Sequence, residues 1–174
     1  IPKFDNIIIV GAMANNIFKF KGYNIGASLF EKDSEKIIEE IFSEIKKNTC
    51  KIYFPEDVKV GKKLDGDSIQ KSLDQIETDD MILDAGSKTI QNIKNVIDNS
   101  STILWNGPLG YFENPNFLTG SLEIAEYIAN KQGEIYSVIG GGDTVSIINS
   151  IKIKNKFNFV STAGGAFLEY LEGK

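Results

Sequence analysis

Short apolar runs recur along the chain, and each gives way to a glycine-bearing turn or to a stretch with helical spacing. Strands covered on both faces read as unbroken apolar runs, and the helices that cover them fall between the runs. This rhythm therefore specifies a parallel α/β sheet. It predicts strands at Asn6–Val10, Lys51–Phe54, Thr102–Trp105, Ile135–Ile139 and Phe157–Val160. The clearest helix is predicted from Asp33 or Ser34 to Lys47, with Ile37, Ile38, Ile41, Phe42 and Ile45 on one face. Acids and a serine open it and lysines close it, as the helix dipole favours. Two further helices are predicted at Ser87–Asp98, through Ile90, Ile93, Val96 and Ile97, and at Ser121–Lys131, through Leu122, Ala125, Ile128 and Ala129.

The segment from Glu56 to Thr78 breaks the rhythm. Val58 and Val60 alternate with Asp57 and Lys59, and Gly61 to Gly66 make a polar turn, which predicts a small excursion from the main sheet. Its lysines read as a solvated face and are assigned no chemistry.

Composition narrows the chemistry. The 174 residues include no His and no Arg, and all 19 basic residues are lysines against 24 acids, a net charge of -5. Absence of His removes Ser-His-Asp and Cys-His pairs, His-ligated metals and the commonest base near neutral pH. Without Arg, an anion has to be held by Lys, helix N-termini or a metal. The acidic balance and scattered lysines exclude a nucleic-acid surface. Apolar runs such as Ile7–Val10 fall far short of the ~20 residues of a membrane helix, and no charged-then-apolar leader opens the sequence. The expectation is a cytoplasmic protein with no membrane partner. The single cysteine, Cys50, rules out a disulfide scaffold and reads as a small buried hydrophobe.

Three turns follow predicted strands, at the sheet edge where open α/β folds bind ligands. In the first, Gly140-Gly141-Gly142-Asp143-Thr144 leads into a helical pattern at Val145, Ile147 and Ile148. Three glycines let the backbone approach a bulky anion, and the amides at the helix start point toward it. Asp143 is then either a helix cap or a carboxylate placed to hold Mg2+ beside phosphates. In the second, Ser161-Thr162-Ala163-Gly164-Gly165-Ala166 offers either another set of free amides or merely a tight strand-to-helix turn. The third, Trp105-Asn106-Gly107-Pro108-Leu109-Gly110-Tyr111-Phe112-Glu113, places an amide at Asn106 and a carboxylate at Glu113. Either these reach phosphate and ribose oxygens, or the segment is a loop stiffened by Pro108 with Glu113 in solvent.

These motifs, in this order and spacing, closely resemble the C-terminal, nucleotide-binding half of phosphoglycerate kinase. Gly11-Ala12-Met13-Ala14-Asn15, Gly22 to Leu29 and Asp84-Ala85-Gly86-Ser87-Lys88-Thr89 also fit, so the resemblance spans nearly the whole chain. It implies a three-layer α/β/α domain with a mostly parallel Rossmann-like sheet that lacks its opening strand, and low stability in isolation. Residues 1–174 would form most of the nucleotide-binding domain, without the N-terminal domain that binds phosphoglycerate. By this resemblance Gly141, Gly142, Asp143 and Thr144 bind the nucleotide phosphates, with Asp143 assisting Mg2+. Asn106 contacts phosphate, Glu113 the ribose, and Leu83 and Pro108 flank the adenine, close to Ala12. Gly164 and Gly165 face the phosphoryl group in flight, and Ser161 and Thr162 fall in a hinge.

The implied ligands are ATP or ADP with Mg2+, and the implied reaction moves a phosphoryl group between 1,3-bisphosphoglycerate and ADP, giving 3-phosphoglycerate and ATP in glycolysis. The intact enzyme would be a monomer, and this stretch alone would be inactive. The other reading is a non-catalytic nucleotide-binding or structural module of the same fold. Four positions depart from the family pattern: Ala12, Ile82 and Ala163 stand at usual glycines and Phe167 at a usual serine. Ala12 and Ile82 are expected to narrow the adenine pocket.

Overall fold

The computed structural model describes residues 3–163, Glu169 and Gly173. The chain divides into two compact units, Ile1–Gln91 with Leu109–Gly120 and Asn92–Pro108 with Ser121–Lys174. The α/β class is as expected. Strands pair in three sets: β1–β2 and β6–β7–β8 are parallel, while β3 lies between β4 and β5 and runs antiparallel to both.

In the first unit, β1 (Asn6–Ile8) pairs with β2 (Lys51–Tyr53), Ile7 opposite Ile52. Both strands are shorter than their apolar runs. Val10 is already the extended residue before α1 (Gly11–Phe20), a helix that sequence reading treated only as a glycine motif. Its inner face buries Ala14, Ile17 and Phe18. Phe18 joins Ile25, Val58, Val60 and Ile76 in the core, where each fully buried side chain is worth about 1.5–3 kcal/mol.

α2 (Glu35–Lys47) has the predicted span, and the Asn48 amide donates to the Glu44 carbonyl at 2.7 Å to close it. Its apolar face is narrower than predicted: Ile38 is buried, but Ile37 is 61% exposed. The excursion is confirmed as a three-stranded antiparallel sheet of β3 (Asp57–Gly61), β4 (Ile69–Ser72) and β5 (Met81–Ala85). β5 was not foreseen, because Asp84 interrupts its apolar run.

In the second unit, β6 (Thr102–Asn106), β7 (Tyr136–Gly140) and β8 (Phe159–Val160) align so that Trp105 faces Ile139 and Asn106 faces Gly140. β7 lies one residue later than predicted, since the Tyr136 N–H already donates to the Ser101 carbonyl at 2.8 Å. α5 (Gly142–Ser150) follows β7 directly and buries Val145, Ile147 and Ile148.

α3 (Ser87–Asp98) matches its prediction. α4 (Pro115–Asn130) begins six residues before the predicted Ser121. Pro115 supplies a first helical residue with no amide hydrogen to satisfy, and the Asn114 carboxamide oxygen accepts from the Asn116 N–H at 2.9 Å.

Candidate functional site

In the second unit, the candidate site is built where β6 and β7 end side by side. Asn106 is the exposed last residue of β6, and Gly140 opposite it leads into Gly141, which stands at φ 86° before α5. A side chain is strained in that conformation. A Cβ there would also lie 3.1 Å from the Asn106 carboxamide oxygen, a tight contact that Asn106 would have to shift to relieve, so the backbone conformation is what asks for glycine. Gly142 and Asp143 open the helix, both exposed, and the cap position is taken by Gly141, with Asp143 inside the first turn. The cap reading of Asp143 therefore falls away. Its carboxylate lies in the first turn, where the helix dipole favours negative charge.

Thr144 differs from its neighbours. It is fully buried, and its hydroxyl oxygen accepts from the Gly107 N–H at 2.8 Å. Trp105, 8% exposed, donates its indole N–H to the Gly107 carbonyl at 2.7 Å. Pro108, half-buried, follows.

In the first unit, Leu83 lies half-buried in β5, and its carbonyl accepts from the Tyr111 N–H at 2.7 Å. That bond fixes the loop that ends in exposed Glu113. Asp84, next along β5, is 2% exposed and accepts from the Gly120 and Ala85 N–H groups, each at 2.9 Å. The Thr119 hydroxyl donates to it at 3.4 Å, and Lys59 stands 3.8 Å away and donates to the same hydroxyl. A Cβ at Gly110 would come within 2.7 Å of the carboxylate and one at Gly120 within 2.5 Å, so these glycines admit it. Burial pushes the Asp84 carboxyl up to about 6, against the opposing pull of Gly120, Ala85, Lys59 and Thr119.

Sequence reading assigned Asp84 no role, although an acid inside an otherwise apolar strand was a signal that could have marked it. Ala12 is exposed in the first turn of α1. Ile82, the departure expected to crowd the adenine, packs its side chain against the first unit's core cluster. Gly164 and Gly165 lie outside the described residues.

One acidic group elsewhere is close enough to suggest a cation. The carboxylates of Glu77, Asp79 and Asp80 lie within 4.8 Å of one another. Lys62 pairs with all three and Lys71 with Glu77 and Asp80, so lysines already fill this role. Lys62 remains exposed, as a solvated face requires, and the structure adds these ion pairs to it. Burial pushes the Asp80 carboxyl up, but Lys71, the Glu77 N–H and Lys62 together outweigh it and hold it at about 2. Among the described residues, no helix is long and apolar enough to cross a membrane.

Comparison with known proteins points to one family. The sequence profile of the phosphoglycerate kinase family matches residues 1–174. The phosphoglycerate kinase of Caulobacter vibrioides is 42% identical over 178 residues, covering all of this chain and 45% of that protein. That of Maricaulis maris is 40% identical, with all of this chain and 44% of the relative covered. Among solved structures, the Coxiella burnetii phosphoglycerate kinase superposes with a TM-score of 0.90 at 33% identity, over 97% of this chain and 44% of its own. The Pyrococcus horikoshii enzyme gives 0.79 at 27% identity, over 98% of this chain and 43% of its own. The chain spans about 45% of the length of the relatives it matches. On sequence and fold alike, it belongs to the phosphoglycerate kinase family.

Proposed function

We propose that these 174 residues are a nucleotide-binding, C-terminal portion of a phosphoglycerate kinase. The observation that carries this reading is the approach of Asn106 to Gly141 at the start of α5, with Asp143 in the first turn. Glycine backbone and free amides receive phosphate oxygens there, and the Asn106 amide donates to them. Asp143 suits Mg2+, a hard cation that takes one or two carboxylates and fills its remaining positions with phosphate oxygens and water. When bound, the ion neutralises charge on the phosphates. Glu113 accepts the ribose hydroxyls, while Leu83, Pro108 and Ala12 border the base. Gly164 and Gly165 supply amides to the phosphoryl group in flight, where transition-state charge is stabilised without covalent chemistry.

The complete enzyme would transfer a phosphoryl group from 1,3-bisphosphoglycerate to ADP, reversibly, as a cytoplasmic monomer. Positioning of two substrates supplies most of the rate in such a reaction, and this chain holds the elements for one of them. It is therefore expected to bind nucleotide and to be inactive alone. Calorimetric titration with Mg-ADP tests this: one saturable site is expected, and a folded chain with no heat of binding at millimolar nucleotide would defeat the assignment.

A further inference from the structure

We infer that Thr144 and Trp105 are positioning residues that hold Gly107 by its N–H and its carbonyl, and that Thr144 acts on the nucleotide through this turn rather than by touching it. The inference rests on the proposed role of Asn106. Gly107 is held at both its polar groups: its N–H by the Thr144 hydroxyl at 2.8 Å, its carbonyl by the Trp105 indole at 2.7 Å. It stands at φ 98°, and nothing lies within 4 Å of where a Cβ would be, so the conformation rather than crowding demands glycine. A glycine in open space has many alternatives. Two side-chain hydrogen bonds select one of them, and that choice aims the adjacent Asn106.

The holders come from different elements. Trp105 belongs to β6, and Thr144 to the first turn of α5, one residue after Asp143. The turn that carries Asn106 is thereby tied to the same helix start that offers its amides. A buried hydroxyl, 0% exposed and engaged in this way, contributes alignment rather than a phosphate contact. The strand and the helix have to keep their register for Asn106 and Asp143 to serve one ligand.

The test uses the single tryptophan of the chain as its reporter. Thr144→Val keeps the shape and removes the hydroxyl, and Thr144→Ser keeps the hydroxyl. In the nucleotide-free chain, Thr144→Val is expected to change Trp105 emission and raise acrylamide quenching, and Thr144→Ser to leave both as in the wild type. Mg-ADP affinity is expected to fall about tenfold in Thr144→Val and to stay within about threefold in Thr144→Ser. Unchanged emission and affinity in a folded Thr144→Val overturn the inference. So does lost affinity with unchanged emission, which marks a direct contact. Should Thr144→Val not fold, amide hydrogen exchange of the wild type decides: a protected Gly107 N–H supports the clamp and a freely exchanging one overturns it. Should the wild type bind no Mg-ADP, the nucleotide reading fails by itself, while the emission and exchange measurements still judge the clamp.

Discussion

The two units solve the same local problem with different chemistry. In the first, β5 and the middle of α4 are tied by a buried carboxylate: Asp84 receives the Ala85 and Gly120 amides and the Thr119 hydroxyl, with Lys59 alongside. In the second, the turn carrying Asn106 is fixed by an indole and a neutral hydroxyl acting on one glycine. A buried charge makes a strong local anchor. It is also intolerant of substitution and sensitive to pH, because desolvation works against the ionised form. Neutral hydrogen bonds contribute less each and do not titrate.

The largest expected effect breaks the first anchor. Asp84→Ala leaves the Gly120 and Ala85 amides without their acceptor and Lys59 without its counter-charge, which should cost about 3 kcal/mol or more in urea denaturation. Asp84→Asn should also destabilise, since both carboxylate oxygens receive backbone N–H groups and a carboxamide turns one of them into a donor.

The pH profile separates the two regions next. The Asp84 carboxyl has a folded value of about 6 against 3.8 when free, so the fold favours its protonated form. Its contribution is complete below about 3.8 and is lost as pH rises through about 6. Between pH 4.5 and 7.5 the stability of the wild type relative to Asp84→Asn should fall by about 2 kcal/mol, read from urea midpoints at the two values. Asp80 supplies the opposite sign within the same unit: its contribution is present above 3.8 and lost as pH falls toward about 2. In the second unit, Thr144→Val relative to wild type should show no such slope.

A smaller change sharpens the neutral side. Gly141→Ala forces a side chain into φ 86° and against Asn106, which should cost about 1 kcal/mol of stability and lower Mg-ADP affinity about tenfold by calorimetry. The smallest effect is expected at Lys62. It is 43% exposed in its side chain, and Lys71 remains to pair Asp80, so Lys62→Ala should change stability by less than about 1 kcal/mol.

The residues differ in how openly the sequence shows their roles. α2 and α3 were legible because their apolar residues recur at helical spacing between compatible ends. α1 was not, because it opens on glycine and its buried face includes Asn15. The early start of α4 was hidden by Gly120, which reads as a helix breaker in isolation. Only the fold shows that the Asp84 carboxylate occupies the space a side chain there would take. The Gly140–Thr144 turn was legible as glycines, an acid and a helix start, and the structure added the approach of Asn106 to Gly141. Thr144 illustrates the limit of motif reading. The motif placed it in the Gly140–Thr144 turn, whereas its hydrogen bond to Gly107 depends on strand register that the sequence does not spell out.

The central proposal is that, within the second unit, the Asn106 turn and the start of α5 receive one nucleotide. Amide NMR of the chain during Mg-ADP titration tests it most directly. The account predicts saturating shifts at Asn106, Gly107 and Gly141 to Thr144, while β4 and the Glu77–Asp80 segment stay unchanged. Saturation with shifts confined to other residues, or a folded chain that shows no shifts at millimolar nucleotide, would contradict it.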